Sequence, residues 1–174
     1  NGLKYIREYK FPDCKSKREL SFDFKIEVNG ELRLIEVDGI LHYKPRHEKE
    51  EPSRLEGQKE RDKIKNEYCK KNNAQLLILS TPSTLCWNYE YHNGIEEFAK
   101  KEDIQFLDMN LEQENLKIDW KKDTRDAGDH LNHFGAIKTT EFLGKYISIN
   151  YKIEDHREDE NYNKWKETLQ RYTE

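Results

Sequence analysis

The sequence predicts an α/β protein, a small mixed sheet with flanking helices, and three observations carry that prediction. Residues 20–27, Leu-Ser-Phe-Asp-Phe-Lys-Ile-Glu, alternate apolar and polar positions at the two-residue period of a half-buried strand. Asn29-Gly30 follows, a strong short hairpin signal, and Leu32, Leu34, Ile35 and Val37 build a second strand ending at Asp38-Gly39. From Gln58 to Lys71 the pattern turns helical, with Ile64 and Tyr68 at i, i+4, and Ala74-Gln-Leu-Leu-Ile-Leu79 then reads as a buried strand. Hairpin, helix and strand in that order form one α/β layer.

The connecting stretches follow from composition. Residues 44–57 hold Pro45, Pro52 and a dense run of charge, which predicts a solvated loop. Past Thr81-Pro82, Ile95, Phe98 and Ala99 predict a short helix and Ile104 to Leu107 a short strand. Ala136 to Ile147 reads as a helix with Phe142, Leu143 and Tyr146 on one face. A last helix is expected from Asn161 to Tyr172, carrying Trp165 and Leu169.

Composition bounds the function classes. At 174 residues the chain makes one ordinary domain or two small ones, and 38% charged against 34% hydrophobic residues leaves a lean core. Residues 1–79 hold 18 Lys+Arg against 15 Asp+Glu, or +3, and the remainder holds 13 against 20, or −7. A basic front half fits a polyanion partner, because phosphate contacts draw on Lys and Arg. Cys14, Cys69 and Cys86 are odd in number and lack C-x-x-C spacing, which excludes a zinc ribbon or a disulfide framework and points to reduced thiols in the cytoplasm. No apolar run reaches the roughly 18 residues of a membrane span, and no signal peptide is visible. The first residue is Asn1, not Met, as expected of a fragment.

The chemistry-bearing residues cluster on the hairpin. A two-residue period turns Asp23 to the face opposite Phe22 and Phe24, and sets Glu36 and Asp38 on one face of the second strand. The hairpin brings these strands side by side. Three converging carboxylates need a counter-charge, and Mg²⁺ (or Mn²⁺) supplies it through oxygen ligands. Such a site suits phosphodiester hydrolysis, with His42 orienting or deprotonating the attacking water, and Arg61 and Lys65 facing the scissile phosphate. Lys44 and Arg46 are further candidate DNA contacts.

Leu20-Ser-Phe-Asp-Phe, Ile35-Glu-Val-Asp-Gly-Ile-Leu-His-Tyr, and Gln58 with Arg61-Asp62 through Lys65-Asn-Glu-Tyr-Cys-Lys-Lys-Asn-Asn resemble the very-short-patch-repair and related phage nucleases of the PD-(D/E)XK superfamily. The resemblance covers about residues 5–79. It implies a restriction-endonuclease-like front half (residues 1–79) that nicks or cleaves DNA, with Asp23, Glu36, Asp38 and His42 at the family's site positions. Gln58 and Asp62 match polar positions leading the helix. The superfamily's usual second-strand Lys is Asp38 here, a replacement these relatives share. The resemblance also implies an N-terminal helix carrying an acidic residue, for which Glu8 is the stand-in.

A second constellation lies in Asp126-Ala-Gly-Asp-His-Leu-Asn-His-Phe-Gly, where an Asp ahead of a His and a Gly opening a helix set an acid–base pair on one loop. The bland alternative is a helix cap with an exposed imidazole. With Ser80-Thr-Pro-Ser, Trp87-Asn-Tyr, His92-Asn-Gly and the tail from Asp155 to Trp165, the segment resembles the C-terminal part of a bacterial SGNH-type hydrolase family, related to cell-wall acyltransferases. This implies a partial SGNH-like (flavodoxin-like) back half, residues 80–174. His130 would be its base and Asp126 or Asp129 its acid. No Gly-Asp-Ser-like block precedes residue 80 to supply the nucleophile. The two resemblances meet at Leu76-Leu-Ile-Leu79, a strand through which both halves extend one sheet.

Overall fold

The computed structural model describes residues 5–28, 30–37, 52–126 and 128–151. It is a mixed α/β fold: one five-stranded sheet in the order β1-β2-β3-β4-β5, covered by helices. The strands are β1 Tyr5–Lys15, β2 Glu19–Val28, β3 Glu31–Val37, β4 Gln75–Ser80 and β5 Gln105–Asp108. Four α-helices interleave with them: α1 Pro52–Lys71, α2 Tyr89–Glu102, α3 Gln113–Leu116 and α4 His133–Tyr151. The first three strands pair antiparallel, while β3–β4 and β4–β5 are parallel, joined across α1 and α2. The sheet therefore runs unbroken across residues 79 and 80.

Each face of the sheet has its own core. Leu34 and Leu76 pack with Cys14, Leu20, Phe22 and Cys69 beneath α1, with Ile64 and Tyr68 against them. Their neighbours Ile35 and Leu77 point the other way and pack with Ile26, Leu79, Leu107, Ile147 and Tyr151 beneath α4. Among the described residues, no helix is long and apolar enough to cross a membrane.

Several elements differ from expectation. Residues 5–15, where an acidic helix was implied, form the edge strand β1, and Glu8 lies exposed on it. Pro12 is tolerated there because an edge strand has one side unpaired. The helix α1 begins at Pro52, six residues before the predicted start; proline suits the first helical position, where its missing N–H has no partner to lose. Both later helices are longer than their apolar cores: Asn88 caps α2 through its side chain on Tyr91 N, and α4 runs from His133 to Tyr151. The expected helix at 161–172 lies outside the described residues.

The face assignment at Asp23 also changes. Phe22 packs under α1, but Phe24 packs against the α4-side core, so the strict alternation breaks between them. The same break occurs on β1. Glu8 sits at φ 50°, between the pairs Arg7↔Phe24 and Tyr9↔Phe22. Tyr5 contacts Phe24, whereas Phe11 stacks on Tyr68 of α1.

Gly135, buried in the first turn of α4, shows how closely that helix docks. A Cβ there would meet the Asp123 carbonyl oxygen at 2.3 Å and Leu131 Cδ2 at 3.0 Å. Gly135→Ala is expected to destabilise the fold by about 2–3 kcal/mol in urea denaturation, as overpacking against backbone does. Gly94→Ala in α2, where a Cβ meets nothing within 4 Å, is the control and is expected to stabilise by about 0.5–1 kcal/mol.

Candidate functional site

The ladder between β2 and β3 ends at Phe24↔Ile35. One step further, the same register sets Asp23 across from Glu36. In place of a backbone acceptor, Asp23 Oδ2 takes the Val37 amide at 2.7 Å, which ties the carboxylate to β3. Helix α1 crosses this end of the sheet and contributes Lys65, whose Nζ lies 2.8 Å from Glu36 Oε1, with both side chains 13% exposed. The same ammonium sits 5.3 Å from the centre of the Phe22 ring. Gln58, Asp62 and Lys65 share one face of α1 at i, i+4, i+7. Gln58 Nε2 donates to Asp62 Oδ1 at 3.0 Å, and Arg61 donates to Gln58 Oε1.

The buried thiols and phenol around this cluster carry no charge. Burial pushes Cys69 up to about 12, and does the same to Tyr68. It raises Cys14 as well. No thiolate nucleophile arises there, and the working charges are those of Asp23, Glu36 and Lys65. The donors present are hard carboxylate oxygens, the set that Mg²⁺ or Mn²⁺ selects, so the cluster fits such an ion. Of the other sequence candidates, Asp38, His42, Lys44 and Arg46 lie outside the described residues.

The second constellation also assembles. His130 Nδ1 lies 2.6 Å from Asp126 Oδ2 and its backbone N–H donates to Asp126 Oδ1 at 2.7 Å. Asp129 Oδ2 stands 3.4 Å from the same imidazole nitrogen. Ligand atoms of Asp126, Asp129 and His130 all fall within 4.8 Å of one another. Helix capping is not their role, since Asn132 Oδ1 accepts from Phe134 N and Gly135 N at the start of α4. The loop is held by Thr84 N donating to the Gly128 carbonyl, at a glycine with φ +109°.

The hydrogen bond from Asp126 holds His130 above its ordinary range, and the bonds from His130 hold Asp126 below the usual carboxylate range. The imidazolium therefore persists to higher pH than in an unpaired histidine. A proton NMR titration is expected to give His130 a midpoint above 6.5, and Asp126→Asn is expected to lower it.

No nucleophile faces this pair. Ser83 Oγ accepts from Leu85 N at 3.3 Å and Cys86 N at 3.0 Å, and its side-chain partner is Asp129 Oδ1, not His130. Cys86 hydrogen-bonds to Asp129, which raises its thiol. Ser80 Oγ accepts from Asn110 Nδ2 at 3.4 Å.

Sequence reasoning missed Asp108, at the carboxyl end of β5. Its side chain, 3% exposed, lies 2.8 Å from His92 Nδ1 and accepts from Trp87 Nε1 at 2.7 Å. The backbone and side-chain nitrogens of Asn110 donate to its other oxygen at 2.9 Å each. A lone Asp closing the apolar pair Phe106-Leu107 was the available signal. No family model, curated protein or solved structure matches this chain.

Proposed function

We propose that the protein is a metal-dependent endonuclease hydrolysing DNA phosphodiester bonds. One observation carries the reading: Asp23 and Glu36 lie on neighbouring strands at one end of the sheet, with Lys65 of the following helix held on Glu36. Two carboxylates and an ammonium converging there are the parts that phosphodiester hydrolysis needs. The basic balance of residues 1–79 is consistent with a DNA partner.

Asp23 and Glu36, with Asp38, would hold Mg²⁺ or Mn²⁺. When bound, the ion would polarise a phosphoryl oxygen and acidify a water. The chain's own contribution is positional. The Val37 amide fixes the Asp23 carboxylate on β3. Lys65 orients Glu36 and offers a cation to the charge that develops on the phosphate.

Nicking of supercoiled plasmid, with Mg²⁺ or Mn²⁺ and with EDTA, tests the reading. Cleavage that requires the metal and fails in Asp23→Asn and Glu36→Gln is the expected result. Absence of any metal-dependent cleavage across duplex, mismatched and single-stranded substrates would refute it.

The Asp126–His130 contact favours a second reading, a partial SGNH-type segment acting on acyl esters. It requires a serine in reach of His130. Labelling of Ser80 or Ser83 by a fluorophosphonate probe would support it, and no labelling would dispose of it.

A further inference from the structure

At the other end of α1, a cavity of about 280 Å³ opens between the helix, the start of β4 and the junction of α2 with β5. Gln75 pairs with Arg33, three residues before Glu36 on β3, so the cavity sits about 10 Å along the sheet from the carboxylates. Asn66 lines it, 4% exposed, and its Nδ2 has no hydrogen-bond partner. An unmet buried donor costs about 1–3 kcal/mol and calls for an explanation.

The rest of the lining says what kind of molecule would meet that donor. Gln75 and Gln105 contribute two more carboxamides. Tyr151 donates to Gln105 Oε1, which leaves Nε2 as the donating end. Leu76, Ile104 and Cys69 are apolar walls, the last because burial keeps its thiol protonated. Apolar walls for a ring face and carboxamides for a donor–acceptor edge are what a nucleobase requires, as Asn and Gln pair with base edges elsewhere. The volume is just short of the roughly 300 Å³ at which drug-sized pockets begin, enough for a base with its sugar. At the rim, Glu102 and Asp103 outnumber Lys70, which is itself held on Glu102 at 3.2 Å. That balance repels phosphate.

We propose that this cavity is a binding site for a free nucleoside, read by Asn66, Gln75 and Gln105. The proposal does not rest on the nuclease reading, since none of these residues touches Asp23 or Glu36.

Isothermal titration with adenosine, guanosine, cytidine and thymidine, and with their 5′-monophosphates, tests it. At least one nucleoside is expected to bind saturably with Kd below about 1 mM. Its monophosphate is expected to bind about threefold or more weakly because of the acidic rim, and single-stranded DNA should not compete. Asn66→Leu is expected to weaken binding at least about 10-fold while leaving the unliganded Tm unchanged or higher, because it removes an unmet donor and keeps the volume. Gln75→Ala, at an exposed residue, is expected to weaken binding severalfold with Tm unchanged. No binding by any of the four nucleosides, tighter binding of the monophosphate, or full affinity in both variants would overturn the proposal. So would a Tm loss of several degrees in Asn66→Leu, which marks a structural amide.

Discussion

Glu36→Gln is expected to lower metal-dependent nicking by about 10²–10³-fold, the loss typical of removing one electrostatic contact to the transition state. The substitution removes the charge and keeps the shape and an acceptor for Lys65, which lies 2.8 Å from the carboxylate. Folding should suffer little. Glu36→Ala differs: it leaves the Lys65 ammonium, 13% exposed, with no carboxylate beside it. Leaving one member of a buried pair uncompensated costs about 3–5 kcal/mol, and partial exposure at this site brings the expectation to about 1–3 kcal/mol. Comparing the two variants separates chemistry from stability. A Glu36→Gln protein that is folded and nicks DNA at the wild-type rate would remove Glu36 from the site.

Asp108→Ala carries the largest expected cost in stability. The carboxylate is 3% exposed, lies 2.8 Å from His92 Nδ1 and accepts Trp87 Nε1 and two nitrogens of Asn110. Removing it strands all four groups at the carboxyl end of β5. Asn110 also donates to the Thr81 carbonyl and accepts from Ser83 N. The loop after β4 is therefore tied to the same network. A loss of about 3–5 kcal/mol is expected. For a domain of this size that is a fall in Tm of about 6–20 °C by circular dichroism. Asp108→Asn keeps one carbonyl acceptor and should lose less. A loss below about 1 kcal/mol for Asp108→Ala would mean that the network is cosmetic.

The hairpin and the elements around it were legible because their signals are local. Asn29-Gly30 announced the turn, and Gly30 takes φ 79° as such turns require. Once the hairpin was placed, Asp23 and Glu36 followed at facing positions. Lys65 followed from the helical period that sets it over the sheet. What escaped was non-local. The break in alternation at Asp23 depends on Glu8 of the neighbouring strand adopting φ 50°, which nothing in residues 20–27 encodes. The strand β1 escaped because it is an edge, with one apolar side interrupted by Pro12. Pro52 reads equally as a loop residue and as a first helical position, and only packing decides. Asp108 escaped because its partners Trp87 and His92 lie 21 and 16 residues away in sequence.

The central claim is that a divalent cation binds at Asp23 and Glu36, and paramagnetic broadening tests it most directly. Sub-stoichiometric Mn²⁺ added to the 15N-labelled protein is expected to erase the amide signals of Asp23, Glu36 and Val37. Asp23→Asn combined with Glu36→Gln should restore them. Broadening confined to residues 126–130, where Asp126, Asp129 and His130 also converge, with the β2–β3 end untouched, would contradict the account.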